Sequence, residues 1–214
     1  MTQMPLPFEH QPEYLSPDFI IASSNAVAYQ GIMDYESWPE KRMILLGDKG
    51  CGKTHLTHIW AEVSGAQMVP HSVHWPVPSE LAQSKAWFID DISLWTHRSK
   101  TLFHYINYAN EYSIPLLLTA QEMPHFSIPD LRSRLDSMHK LWIYKPDQSL
   151  LKAVILKQLS DRSLQIKPEV LDYLGNHIER NFSKVYSLVD AIDHMAMREK
   201  KGVTLPLIKK ILQN

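Results

Sequence analysis

The sequence predicts an α/β fold: a parallel sheet of five short strands flanked by helices, then a small all-helical lid. Three observations lead there. Five short apolar runs alternate with helical stretches up to about residue 145, the pattern of a parallel sheet whose crossovers are helices. Between the first run and the helix after it stand Gly47, Asp48, Lys49, Gly50, Cys51, Gly52, Lys53 and Thr54, a match to G-x-x-x-x-G-K-[ST] without exception. Beyond Pro146 the strand pattern stops and helical periodicity alone remains.

Residues 1–18 carry prolines at 5, 7, 12 and 17, which favour an extended segment. Ser24 or Asn25 is a suitable N-cap for a helix running to about Trp38, where Pro39 stops it. Arg42 to Leu46 reads as a buried strand and Thr54 to Glu62 as the helix after the glycine-rich loop. Gln67 to Val69 is a short strand, and residues 70–80, with three prolines, are irregular. Ala86 to Ile89 is a strand ending in Asp90 and Asp91. Ser99 to Tyr112 is helical, with Leu102, Phe103, Ile106 and Ala109 on one face. Pro115 to Thr119 is a strand, Pro129 to Leu135 a short helix, and Leu141 to Tyr144 the last strand. Asp147 and Ser149 cap a helix to about Arg162. Pro168 opens another to about Arg180, Phe182 to Lys200 forms a third, and a fourth follows Thr204 after Gly202. The implied organisation is an extended segment at 1–18, a nucleotide-binding α/β domain at 19–145 and a helical lid domain at 146–214.

Composition is that of an ordinary globular protein: 214 residues, 44% hydrophobic, 21% charged, formal net charge -1. No global field draws such a chain to nucleic acid or membrane. Residues 1–145 hold 11 Lys+Arg against 15 Asp+Glu, and residues 146–214 hold 11 against 8, so the basic bias of the C-terminal part is mild. A single cysteine, Cys51, fits a reducing compartment. No apolar run approaches membrane-spanning length and no signal peptide is visible, so a cytoplasmic location is expected.

The chemistry centres on the loop. Glycines let backbone N–H groups turn toward a polyphosphate, the Lys53 ammonium bridges its outer phosphates, and the Thr54 hydroxyl reaches Mg²⁺. The helix N-terminus adds partial positive charge at the same place. Asp90, at the carboxyl end of a buried strand, is expected to order the Mg²⁺ shell, and Asp91 to polarise a water for attack on a γ-phosphate. The plainer reading is that two acids cap the next helix. Thr119 or Gln121, at another strand end, could sense the γ-phosphate or simply be polar strand-end residues. Arg132 and Arg134 lie two apart near a short helix; one could reach a neighbouring molecule's nucleotide, or both could be ordinary surface arginines. The pairs His55/His58 and His71/His74 have a metal-compatible spacing, but no cysteine or carboxylate cluster accompanies them. The six tryptophans fall in apolar runs, as core residues do.

Taken together, Gly-Asp-Lys-Gly-Cys-Gly-Lys-Thr-His-Leu, Phe-Ile-Asp-Asp-Ile, Leu-Leu-Thr and Ile-Pro-Asp-Leu-Arg-Ser-Arg-Leu resemble the DnaA branch of AAA+ ATPases. Within it the chain is most similar to the Hda proteins, DnaA-related regulators of replication initiation. The resemblance extends through the lid to Val203-Thr204-Leu205-Pro206-Leu207-Ile208-Lys209-Lys210-Ile211-Leu212. DnaA proteins continue into a helix-turn-helix domain that is not seen before Asn214, which favours a regulator over an initiator.

The resemblance implies an AAA+ fold, bound ATP or ADP with Mg²⁺, and weak hydrolysis at most. His55 follows the lysine–threonine pair as in relatives, and Asn25 with the preceding Phe19, Ile20 and Ile21 would line the adenine pocket. Arg134 matches the family's arginine finger, stabilising charge on a γ-phosphate held by DnaA. Gln3-Met4-Pro5-Leu6-Pro7-Phe8 is similar to the motif by which Hda proteins bind the DNA sliding clamp, the beta subunit of DNA polymerase III. Gln3 would hydrogen-bond at a pocket rim while Leu6 and Phe8 anchor. The implied partners are the clamp and DnaA, with direct DNA binding weak or none; a homodimer stays open. The chain departs from relatives at two sensing positions. Ser183, beside Lys184, stands where DnaA relatives carry a lid arginine, and Gln121 stands where Asp or Asn is common. Stable ADP binding is therefore easier to defend than rapid turnover. Three rivals remain: a helicase-loader-like or transposition-helper-like ATPase on single-stranded DNA, a P-loop small-molecule kinase, and a nucleotide-locked scaffold.

Overall fold

The computed structural model describes residues 19–72, 75–199 and 202–212. Gln3, Leu6 and Phe8 of the proposed clamp motif lie outside the described residues, as do His74 and Lys200-Lys201. Among the described residues the chain forms α1 (Ala26–Met33), β1 (Arg42–Gly47), α2 (Lys53–Ser64), β2 (Ala66–Met68), α3 (Ser79–Ala82), β3 (Ala86–Ile89), α4 (Ser99–Glu111), β4 (Leu116–Ala120), α5 (Pro129–Ser137) and β5 (His139–Ile143). Four helices follow: α6 (Gln148–Asp161), α7 (Pro168–His177), α8 (Phe182–Glu199) and α9 (Leu205–Leu212). The five strands make one parallel sheet in the order β2-β3-β4-β1-β5.

The pleat explains how this sheet is covered. Successive side chains of a strand point to opposite faces. Ile44 and Leu46 of β1, Trp87 and Ile89 of β3, and Leu116 and Leu118 of β4 pack with Tyr105 and Ile106 of α4 and with Leu131 of α5. Met43, Leu45, Phe88 and Leu117 pack on the other face with Ala28 and Ile32 of α1 and with Leu56 and Trp60 of α2. The three inner strands β3, β4 and β1 are buried throughout, as helices on both faces require. The edge strands β2 and β5 are partly exposed.

The helix expected to run from Asn25 to about Trp38 ends at Met33. Pro39 forces the residue before it into an extended conformation, and Trp38 has φ -60 and ψ 132. A 3-10 turn at Tyr35–Ser37 brings Trp38 back. Its indole then donates to the Gly31 carbonyl at 2.7 Å and stacks on Trp60 with ring centroids 5.2 Å apart. Asn25 does not cap α1 either: its side chain serves the preceding loop, accepting from Ala22 N at 2.8 Å and donating to Ile20 O at 3.0 Å. A 3-10 helix at Ile92–Arg98 and the short α3 escaped the sequence pattern; neither is long enough to develop a helical period.

The C-terminal helices carry their own core, in which Leu151, Ile155 and Leu159 of α6 meet Leu174 of α7, Val185, Val189 and Ile192 of α8, and Ile208 of α9. Asp147 caps α6, accepting from Leu150 N at 2.8 Å, and that backbone hydrogen bond holds its carboxyl below the usual range. No strand forms here among the described residues, although Ile166 and Val203 make one isolated parallel bridge. The four helices are a lid.

Trp87 is among the largest fully buried side chains. It is fully buried, donates to Leu81 O and Ser84 Oγ at 2.8 Å each, and stacks on Tyr108. Trp87→Ala is expected to lower unfolding free energy by about 3–5 kcal/mol in urea titration, from the cavity it leaves, since the Leu81 carbonyl keeps its bonds from Ser84.

Candidate functional site

The glycine-rich loop leaves the carboxyl end of β1 and turns into α2. Gly47, Gly50 and Gly52 have φ of 157°, 74° and 107°. At Gly50 and Gly52 these angles fall where a side chain is strained. Crowding adds to this at two positions. A Cβ on Gly50 would overlap Asn181 Oδ1 and Ser183 Oγ, and a Cβ on Gly47 would strike the Ile143 carbonyl and Cys51 Sγ. Cys51 is thus packing behind the loop, and burial pushes its thiol pKa up. The Lys53 ammonium lies over the loop, donating to the carbonyls of Gly47 at 2.7 Å and Asp48 at 3.0 Å. Asp48 pairs outward with Lys145 at 3.4 Å, both side chains exposed.

Asp90 sits at the middle of a polar chain. Its Oδ2 accepts from Thr54 Oγ1 at 3.0 Å and its Oδ1 accepts from Thr119 Oγ1 at 2.6 Å. Strand order explains the arrangement. β4 lies between β3 and β1, with Leu118 beside Ile89 and Thr119 beside Leu45. Thr119, fully buried, is therefore the β4 residue that reaches the acid following β3. It also accepts from Asp91 N at 2.8 Å, which fixes the turn. A hydroxyl and a carboxylate facing one another beside a phosphate loop are a donor set suited to Mg²⁺. These residues fit the expected ion.

A cleft of about 600 Å³ opens above the loop, within the rough 300–1,000 Å³ span of ligand sites. Phe19, Ile20, Asn25 and His55 line one side, with His55 set edge-on to Phe19 at 5.3 Å. Leu150, Val154 and Tyr186 of the lid face them. Above the loop the lid touches it directly. Phe182 N donates to Gly50 O at 2.9 Å, and Asn181 Nδ2 donates to Lys49 O at 2.9 Å.

Three comparisons bear on this geometry. Residues 147–212 match the family model described as Hda, lid domain. The chromosomal replication initiator protein DnaA of Caldanaerobacter subterraneus subsp. tengcongensis is 24% identical over 95% of this chain and 52% of its own length. The chain is thus similar to Hda proteins over its C-terminal helices and to DnaA over most of its length. It spans about half the length of the curated DnaA relatives it matches. Among solved structures, domain III of Thermotoga maritima DnaA superposes with a TM-score of 0.79 at 18% identity, covering 95% of this chain and 97% of that one. AMPPCP-bound DnaA from Aquifex aeolicus gives 0.66 at 19% identity, covering 90% and 69%. The α/β part is thus an AAA+ sheet and the four C-terminal helices its lid.

The sequence-predicted residues divide accordingly. Gly50, Gly52, Lys53, Thr54, His55, Asn25 and Ile20 converge on the cleft, and Asp90 meets Thr54. Ile21 does not: it is 51% exposed and turned away from the cleft lining, because Asn25 binds the backbone on either side of it. Gln121 is exposed one residue past β4 and lies outside the lining; Thr119 makes the contact instead. Asp91 has φ 57°, and its Oδ1 accepts from Ser93 N at 3.1 Å and Ser93 Oγ at 2.5 Å. The plainer reading holds for it in this conformation, since a water-polarising role would require release of that cap. Ser183 lines the cleft, whereas Lys184 is exposed and does not. Phe19, expected beside Asn25, does line the cleft. Tyr186 and Asn181 were not picked out as site residues, because both depend on how the lid docks.

Arg134 lies in the last turn of α5, half-buried, with its guanidinium 5.6 Å from the Phe103 ring centroid. Its charge, after burial, helps depress the pKa of Arg42 at the start of β1. That end of the sheet is opposite the loop: α5 leads into His139, paired with Met43, while the loop begins past Gly47. Four strand steps separate the two levels by roughly 13 Å.

Because a methyl group at Gly50 would collide with both Asn181 and Ser183, Gly50→Ala is expected to reduce binding of Mg²⁺–ADP by at least about tenfold in calorimetric titration while the chain stays folded.

Proposed function

We propose that this chain is an adenine-nucleotide-binding regulator of DnaA that acts in trans. Its own cleft holds ADP or ATP with Mg²⁺. Thr54 and Asp90 order the ion, Lys53 and the loop amides hold the phosphates, and Phe19, Ile20 and Asn25 flank the base. Bound nucleotide supplies charge and order at the cleft; turnover there is slow, in keeping with an Asp91 carboxylate engaged by Ser93 and no arginine at position 183. The AMPPCP seen in a DnaA neighbour of the same fold supports the ligand class.

The observation that carries the proposal is the position of Arg134. A guanidinium at the far end of the sheet from its own loop cannot serve its own γ-phosphate, yet it is open enough to serve another molecule's. In a docked complex it would stabilise the charge that develops on a γ-phosphate bound by DnaA, as an arginine finger does. The match of the lid to the Hda model supports this role over that of an initiator. Residues 3–8 would tether the chain to the sliding clamp, which concentrates it where DNA synthesis has begun. The outcome is conversion of ATP-bound DnaA to its ADP form and restraint of further initiation, in the cytoplasm where the chromosome resides. No helix among the described residues is long and apolar enough to cross a membrane.

The test is phosphate release from ATP-bound DnaA mixed with this chain and DNA-loaded clamp. Stimulation by the wild-type chain is expected, and Arg134→Ala is expected to remove roughly a thousandfold of it at saturating concentration without loss of clamp binding. Stimulation unchanged in that variant would refute the assignment. In a clamp pull-down, replacing Leu6 and Phe8 together with Ala is expected to abolish capture while DnaA hydrolysis without clamp is unaltered; retained capture would mean the motif is misread.

A further inference from the structure

We infer that Asn181, at the lid's entry to α8, is a positioning residue that sets the peptide planes of the phosphate loop, resting on the nucleotide reading above. Its side chain does two things at once. Oδ1 accepts from Ser183 N at 2.7 Å, satisfying an amide in the first turn of α8. Nδ2 donates to the Lys49 carbonyl at 2.9 Å, more than 130 residues away in sequence.

The second bond has a consequence for the first phosphate-facing amide. A trans peptide is planar, and its N–H points opposite to its C=O. Holding the Lys49 carbonyl toward the lid therefore turns the Gly50 N–H away from the lid, into the concavity of the loop. The next peptide is fixed at both ends: its Gly50 carbonyl accepts from Phe182 N at 2.9 Å, and its Cys51 N–H donates to Asp48 O at 3.2 Å. Two successive peptide planes are thus set before any anion arrives, which lowers the ordering cost of binding one. Gly50 is what permits the approach, since any side chain there would displace Asn181 Oδ1 and Ser183 Oγ.

This device lies two residues before Ser183, the position at which a lid arginine would otherwise contact phosphate. The lid of this chain reaches the phosphate site through the loop backbone. The coupling is reciprocal: an anion that favours the inward Gly50 N–H also favours the docked lid.

Asn181→Ser separates the two tasks, because serine is as good an N-cap as asparagine but its hydroxyl is too short to hold the Lys49 carbonyl. In titrations of the full chain, the variant is expected to bind Mg²⁺–ADP about five- to tenfold more weakly than wild type. Its affinity for adenosine, which has no phosphate, and its melting temperature without ligand are expected to be unchanged. Equal ADP affinity in the two proteins, or parallel loss of ADP and adenosine, would overturn the inference while leaving the nucleotide reading intact. Failure of the wild-type chain to bind ADP would overturn both. If the serine variant melts early, Asn181→Asp, which keeps an accepting oxygen for Ser183 N, is expected to show the same split between ADP and adenosine.

Discussion

Asp90 is held between two hydroxyls, and the site is organised around that bridge. The acid follows β3, the phosphate loop follows β1, and these strands are not neighbours. β4 separates them. An acid at the end of β3 can be tied to the loop only if β4 contributes a small polar side chain at the level of its carboxylate. Thr119 is that residue, buried, with its hydroxyl spent on Asp90 and on the backbone of Asp91. Through Thr54 the same carboxylate reaches the first turn of α2. One bridge thereby sets the relation of two non-adjacent strands and aligns the oxygens that would hold Mg²⁺. A larger side chain at the buried position 119 would overpack β4 and part β3's acid from the loop.

This explains which parts of the molecule were legible in the sequence. The loop was visible because its chemistry is local: eight consecutive residues specify a turn and a helix start. The inner strands were visible because burial on both faces makes them uninterrupted apolar runs. Thr119 was harder. A threonine ending an apolar run is an ordinary strand end unless the strand order is known, so Gln121 competed with it on equal terms. Asp91 was ambiguous for a related reason. Adjacent acids after a strand serve either catalysis or capping, and the decision rests on a φ of 57° that sequence does not reveal. The overlong first helix failed at Trp38, where an indole-to-Gly31 bond and stacking on Trp60 outweighed continued helical periodicity.

The lid shows a different limit. Its four helices were readable from caps and periodicity, and its core is self-contained. What could not be read was its docking, since the contacts between Asn181, Phe182 and the loop join residues that no local pattern relates. Position 183 looked like a deficit when considered alone. Considered with its neighbours, it lies in a segment that grips the loop through Asn181 and the Phe182 amide, and the cleft wall there needs no charge to do so. Serine at position 183 brings no charge to the cleft, yet the lid stays joined to the loop through Asn181 and the Phe182 amide. Such a lid suits a nucleotide retained as a structural element more than one consumed at each cycle.

Arg134 completes the argument through its distance from all of this. The bridge at Asp90 and the lid contacts both lie at the carboxyl ends of the strands, whereas α5 delivers Arg134 to the amino ends. A rigid sheet keeps the two apart, so no closure of the lid can bring this arginine to the chain's own γ-phosphate. Its immediate surroundings point outward as well. The guanidinium is half-buried, and the ring of Phe103 supports it from one side. If Arg134 acts as proposed, the phosphate it stabilises is presented by a second protein, and the chain's own nucleotide acts by fixing the shape of the body that docks.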